Sequence, residues 1–271
     1  TGLLPGEWYK CDFLIGCGCA RMEGEPVPLG GSRLIKLKSQ REIAIMRDAG
    51  RIVAECHAAL AEKVQPGVTT RELDRFVEQF LARYHATPSF KGYNGFPASI
   101  CASVDDVICH GFPSNKQLKP GQVITIDIGA YYKGYHGDSA WTYAVGEVSP
   151  SVQELMRVTQ EALYAAIAVA LPGNRMGDIG HAIQSLAESH GFGVVRDYIG
   201  HGVGQNLHEP PEVPHYGQPG TGIALRSGMT IAIEPMITLG DWRAKLDPDG
   251  WTARTVDGSI CVQFEHTVAI T

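Results

Sequence analysis

The sequence predicts an α+β domain assembled from two copies of one half-domain, and two observations lead there. The first is an internal repeat. Gly121, Ile124, Ile126 and Asp127 of PGQVITID recur as Gly228, Ile231, Ile233 and Glu234 of SGMTIAIE, 107 positions later. Upstream, at an offset of 106, Pro66-Gly67 with Leu73, Val77 and Phe80 recurs as Pro172-Gly173 with Ile179, Ile183 and Leu186. Ala49, Ile52 and Cys56 recur as Leu155, Val158 and Ala162 in the same way. A spacing this long is a duplicated half-domain, not a solenoid repeat of about 20–50 residues. The second observation is where the acids fall. Asp127, Asp138, Glu234 and Glu265 end or interrupt the apolar runs VITID, HGDSAWTY, TIAIE and VQFEHTVAIT. A carboxylate in a buried strand is costly unless something neutralises it. Four of them, joined by His201, call for divalent cations, and the charge count suits two ions better than one.

The elements follow in order. Ser39 and Glu42 form a capping box before a helix with the stripe Ile43, Met46, Ala49, Ile52, Val53, Cys56 and Leu60. Pro66-Gly67 stops it. Thr69 and Glu72 cap a second helix with Leu73, Phe76, Val77, Phe80 and Leu81 inward. After a loop with Gly92, Gly95 and Pro97, short strands are expected at 100–103 and 107–109. The VITID strand and its return form a hairpin across Tyr132-Lys133-Gly134, which brings Asp127 and Asp138 near one another across the ladder. In the second half, Ser151 and Glu154 are read as capping a helix that runs to Leu171, and a further helix spans 176–190. Strands at 194–199, 230–234 and 261–270 complete the copy.

Composition sets the bounds. At 271 residues and 44% hydrophobic content, the chain buries a sizeable core. A net charge of -6 carries no electrostatic footprint for nucleic acid. No stretch reaches the roughly 18–20 apolar residues that span a bilayer. Seven cysteines, with Cys56, Cys101, Cys109 and Cys261 in apolar segments, point to reduced core thiols and a cytoplasmic setting. Residues 1–37 stand apart as an irregular, Gly- and Pro-rich extension holding Cys11, Cys17 and Cys19. Three cysteines fall one ligand short of a structural zinc site. Leu14-Ile15-Gly16-Cys17 has the look of a lipoprotein cleavage site, but no basic or continuous apolar region precedes it. The chain opens on Thr1, and Met22 offers an alternative start.

His201 lies in Gly200-His201-Gly202-Val203-Gly204, where small residues let the backbone approach a bound group. A lone histidine there is ordinarily structural. Its company argues otherwise: His208, Glu209 and Pro210-Pro211 follow in one polar loop. His110, in Cys109-His110-Gly111-Phe112-Pro113, is a weaker candidate, and His136 is read as exposed or supporting.

At these residues the resemblance to a known family becomes specific. ASVDDVICHGFP, VITIDIGAYYKGYHGDSAWTY, IGHGVGQNLHEPPEVPHY, GMTIAIEPM and GWTARTVDGSICVQFEHTVAIT resemble segments of the type I methionine aminopeptidases. The resemblance covers residues 38–271, and the spacing from His201 to Glu234 leaves no room for the helical insertion of type II enzymes. It implies the pita-bread fold, with two pseudo-twofold halves (about 38–148 and 149–271) of antiparallel sheet and outer helices. By motif position, Asp138 and Glu265 would bridge two divalent ions, Asp127 would complete one site, and His201 and Glu234 the other. Cobalt, manganese, iron and zinc all suit such ligands. Glu234 would accept the proton of the attacking water, His208 would stabilise the oxyanion, and His110 would contact the scissile nitrogen. Tyr93, Phe96, Cys101, His110 and Trp251 match the family's methionine pocket, with Phe90 and Leu207 adjoining. The implied activity is removal of the first methionine from nascent chains near the ribosome, by a monomer. Two other readings share the fold. Proline-selective relatives usually carry a large N-terminal domain, for which 37 residues are too few, and non-catalytic relatives lose metal ligands that this chain keeps.

Overall fold

The computed structural model describes residues 34–271, so Cys11, Cys17 and Cys19 lie outside the described residues. Helix α1 (Gln40–Ala61) starts where expected: Ser39 Oγ accepts the Glu42 N–H, and Glu42 Oε2 accepts the Ser39 N–H at 2.7 Å. Its buried stripe runs through Ile43, Met46, Ala49, Ile52, Val53, Cys56 and Leu60. Helix α2 (Thr70–Arg83) carries the second capping box, from Thr69 and Glu72, and buries Leu73, Val77, Phe80 and Leu81. Strand β1 (Thr87–Pro88) and a 3-10 turn (Tyr93–Gly95) lead to β2 (Ile100–Val104) and β3 (Val107–Cys109). The long hairpin of β4 (Val123–Tyr132) and β5 (Tyr135–Ala144) turns on Lys133 and Gly134, both at positive φ, as a two-residue turn between twisted strands requires. One edge of β4 is taken by β1 and β2 in tandem, the other by β5, all antiparallel.

The second copy opens with α3 (Pro150–Val169), whose cap corrects the expectation. Ser149 is the N-cap, because Pro150 occupies the first helical position and Ser149 Oγ accepts the Val152 N–H. Ser151 instead stands 3.0 Å from the Ser149 hydroxyl, and Glu154 pairs with Arg157 at 2.6 Å. Helix α4 (Met176–Ser189) sits 106 positions beyond α2 at both ends. Next come β6 (Gly193–Val194), β7 (Gly200–Gly202), β8 (Glu209–Val213), β9 (Thr230–Ile233) and β10 (Met236–Thr238). A hairpin of β11 (Ala244–Leu246) and β12 (Ala253–Thr255), then β13 (Cys261–Gln263) and β14 (His266–Ala269), close the chain. The strand expected at 194–199 is only β6, and the 261–270 run is broken in two at Phe264–Glu265.

The repeat extends to single hydrogen bonds. Gly67 N–H donates to Leu118 O, as Gly173 N–H does to Leu225 O. Gly121 N–H donates to Val145 O, as Gly228 N–H does to Ile270 O. One continuous apolar core joins residues of both copies, from Ile52, Leu73 and Ile126 to Leu155, Ile183, Ile231 and Val262. The copies therefore meet sheet to sheet, with α1 to α4 outside and the acids between.

Candidate active site

Strand register assembles the acids. Asp127 pairs with Ala140, and Asp138 pairs with Gly129, so the two aspartates are diagonal neighbours on one face of the β4–β5 ladder. Asp127 therefore lies within β4, not at its end. Asp138 needs Gly129: a Cβ there would stand 2.4 Å from Asp138 Oδ1 and 2.6 Å from Ser89 Cβ. The second copy joins at Glu265, whose N–H donates to Ala140 O at 3.0 Å while Ser139 Oγ donates to its carbonyl. Glu234 and Glu265 directly follow and precede the paired residues Ile233 and His266 of β9 and β14. Glu234 Oε1 is 3.8 Å from His201 Nε2, and its Oε2 accepts the Gln263 amide at 3.2 Å. Asp127 thus neighbours Asp138, Glu234 neighbours His201, and Glu265 is tied to the first pair through Ala140; all five are buried, Asp138, Glu234 and Glu265 at 0% exposure, Asp127 at 3% and His201 at 6%.

The donor set fits divalent cations. His201 Nδ1 lies 2.7 Å from the Gly202 carbonyl, so Nδ1–H donates there and Nε2 is the nitrogen turned toward the Glu234 carboxylate, the one that a metal would take. Four buried carboxylates carry a charge that two divalent ions would balance, and their oxygens with one imidazole suit first-row divalent metals.

Around the acids stand the other predicted residues. His208 packs against His201 with ring centres 4.3 Å apart, and its Nδ1 is 2.7 Å from the Tyr93 hydroxyl. His110 is buried at the end of β3 with φ of 58°, a conformation that projects its ring against Trp251 and Tyr198. Phe90, Phe96, Cys101 and Leu207 form one apolar cluster, with Tyr93 and Trp251 packed on it. Cys101 pairs directly with Asp127 across β2–β4. Burial, then the Asp127 charge, pushes its thiol well above the usual range. Burial and Asp138 likewise raise the Tyr93 phenol. His136 is half-buried, 2.9 Å from Ser89 Oγ.

The sequence reading missed several participants. Ala98 and Phe112 belong to the same apolar cluster. His215, fully buried, accepts the Glu234 N–H on Nε2, and burial lowers its pKa to about 3. Lys38 and Glu209 form a buried ion pair at 2.6 Å. Phe112, near His110, and Glu209, beside His208, carried local signals; the contacts of the others depend on residues distant in sequence.

A duplicated α+β scaffold with buried acids and a histidine between its copies defines a metal-dependent hydrolase. The chain belongs to metallopeptidase family M24, whose model matches residues 44–271, and within it to the methionine aminopeptidases. It is 52% identical over 238 residues to methionine aminopeptidase 1 of Bacillus subtilis, covering 88% of this chain and 96% of that one. The methionine aminopeptidase of Thermotoga maritima superposes with a TM-score of 0.86 at 47% identity, over 88% of this chain and 96% of that chain. The prolidase of Pyrococcus furiosus shares the fold at a TM-score of 0.68 and 25% identity, but this chain covers only 62% of it. The fold is the pita-bread fold that the repeat foreshadowed.

Proposed function

We propose that this enzyme removes the N-terminal methionine from new polypeptides by hydrolysing their first peptide bond, preferring a small second residue. The carrying observation is one juxtaposition: Cys101 of the apolar pocket pairs with Asp127 of the acid cluster. A flexible thioether side chain suits an aromatic-lined slot, here Tyr93, Phe96, Cys101, His110 and Trp251, with Phe90 and Leu207 adjoining. High identity to methionine aminopeptidases over nearly the whole chain supports the same reading.

In this reading Asp127, Asp138, His201, Glu234 and Glu265 would hold the divalent metal, with Asp138 and Glu265 shared between two ions. When bound, such ions would supply a Lewis acid for the scissile carbonyl and lower the pKa of a water. Glu234 would accept a proton from the attacking water; its Oε2 is steadied by Gln263 and its backbone by His215. His208, held by Tyr93 through Nδ1, presents Nε2 to the carbonyl oxygen as negative charge develops. His110 faces the scissile nitrogen. The two histidines bound the space beyond the bond, which favours glycine, alanine or serine there.

The substrates would be nascent chains near the ribosome, met by a monomer in the cytoplasm. Four buried cysteines among the described residues, none in a disulfide, suit a reducing compartment, and no helix of the described residues is long and apolar enough to cross a membrane. The test is a side-by-side digest of Met-Ala-Ser and Ala-Pro-Ala by protein reconstituted with Mn²⁺ or Co²⁺. Cleavage of the first alone is expected; preference for the second would place the chain with the proline-selective enzymes.

A further inference from the structure

Lys38 lies on the short extended segment before α1, pinned to the second copy by its N–H to the Gly228 carbonyl at 2.7 Å. Its side chain does not reach for solvent. The ammonium donates to Glu209 Oε2 at 2.6 Å and to the Lys36 carbonyl at 3.2 Å, with side-chain exposures of 5% for Lys38 and 3% for Glu209. The other carboxylate oxygen of Glu209 accepts the Asn206 N–H at 3.1 Å, closing the 206–209 loop on itself. Gly204 leaves room for the pair, since a Cβ there would stand 2.8 Å from both Lys38 Nζ and Glu209 Oε1. The same loop is tied to the first copy, because the Gly204 carbonyl accepts the His136 N–H at 2.9 Å.

The loop held in this way carries His208, the residue beside Glu209 in sequence, whose ring sits between Tyr93 and His201. A buried ion pair is weak evidence of added stability, since well-packed apolar residues often serve as well. What it does supply is a fixed position. The carboxylate accepts in two directions, from a segment 171 residues away and from its own loop.

We propose that Lys38 is a positioning residue: its ammonium, acting through Glu209, fixes the 204–209 loop so that the His208 ring is aimed at the reacting carbonyl. This rests on the role given to His208 above. Lys38 touches no reacting atom, and its effect should fall on turnover, not on substrate affinity. A misplacement on the order of 1 Å at a group that acts in the transition state costs up to about 100-fold in rate.

The test uses the full, metal-reconstituted chain with Met-Ala-Ser as substrate. It compares Lys38→Met, Lys38→Arg and the double variant Lys38→Met/Glu209→Gln, reading kcat, KM, bound metal and thermal midpoint. Lys38→Met is expected to lower kcat by about 10–100-fold with KM within about twofold and metal content unchanged. Lys38→Arg should recover most of the rate, because it keeps a buried cation in reach of Glu209. The double variant leaves no lone buried charge, so it should regain the thermal midpoint yet keep the low kcat, even if Lys38→Met alone does not fold. A double variant that regains both, or Lys38→Met with wild-type kcat, would show the pair to be structural only. Failure of the wild-type protein to cleave Met-Ala-Ser would instead remove the functional reading itself.

Discussion

His57 is a buried titratable group outside the acid cluster, and its contribution to stability can be worked through. Its ring is 1% exposed on the inner face of α1, with Nε2 3.0 Å from the Ser139 carbonyl and Nδ1 2.8 Å from the Tyr143 hydroxyl. Nε2–H donates to Ser139 O, and the hydroxyl proton of Tyr143 serves either Nδ1 or the His57 carbonyl at 3.0 Å. Burial lowers its pKa from 6.5 to about 4, although the bond to Ser139 opposes the shift. In the unfolded chain the ring takes up a proton below about pH 6.5. The folded protein holds it neutral down to about pH 4. Between those limits the unfolded state binds more protons, so stability falls as pH falls.

From the two pKa values, the loss attributable to this ring is near zero at pH 8 and about 2 kcal/mol at pH 5, approaching about 3 kcal/mol below pH 4. His57→Gln keeps a donor and an acceptor of similar reach and cannot titrate. It should cost about 1 kcal/mol at pH 8 through poorer hydrogen bonding. Urea unfolding of both proteins at pH 5, 6, 7 and 8 gives the difference directly, and other acid-sensitive groups cancel in it. The wild-type advantage of about 1 kcal/mol at pH 8 should vanish near pH 6 and become a deficit of about 1 kcal/mol at pH 5. Parallel stability curves across that range would refute the assignment of a neutral, acid-labile His57.

Three further outcomes are expected at the candidate site. Asp138→Ala and Glu265→Ala should each lose bound metal and activity together, read by elemental analysis alongside the Met-Ala-Ser assay; retention of two ions would contradict the bridging role. His208→Ala should retain metal while kcat falls by about 10²–10³-fold, as for a lost oxyanion donor. Gly129→Ala forces a methyl to 2.4 Å from Asp138 Oδ1, so metal affinity measured by titration should drop by about 10–100-fold.

What could be read in the sequence was whatever local chemistry dictates. Ser39 with Glu42 and Thr69 with Glu72 sit three residues apart, and the helices they cap begin there. The β4–β5 turn was equally plain, because Lys133-Gly134 lies between two apolar runs. The cap of α3 was misplaced by two residues, although Pro150 marks the first helical turn. Strand β8 reads as loop because Glu209–Val213 contains two prolines; it survives as an edge strand, pairing only with β7. The convergence of acids could be inferred from the repeat, but not its supports. Lys38 and Glu209 are separated by 171 residues, and His57 from Ser139 by 82, with nothing in either neighbourhood to announce the contact.

The broken strands of the second copy explain why the acids are not placed symmetrically. In the first copy the β4–β5 ladder runs unbroken, pairing Asp127 with Ala140 and Gly129 with Asp138. In the second, Ile233 pairs with His266 and Met236 with Gln263, which puts Glu234 and Glu265 at the step between. Asp127 then corresponds to Glu234, Ala140 to Glu265, and Asp138 to Gln263. Each copy keeps the acid on its leading strand but moves the second acid to a different position on the return strand. At Gln263 the missing acid is replaced by an amide that donates to Glu234 Oε2. At Glu265, where that ladder is interrupted, the backbone N–H bonds Ala140 O of the other copy. Acids at both the 138/263 and the 140/265 positions of each copy would bury six carboxylates, two more than a pair of divalent ions can neutralise. The divergence of the copies at 138, 140, 263 and 265 holds the count at four while both strands of each copy still face the site.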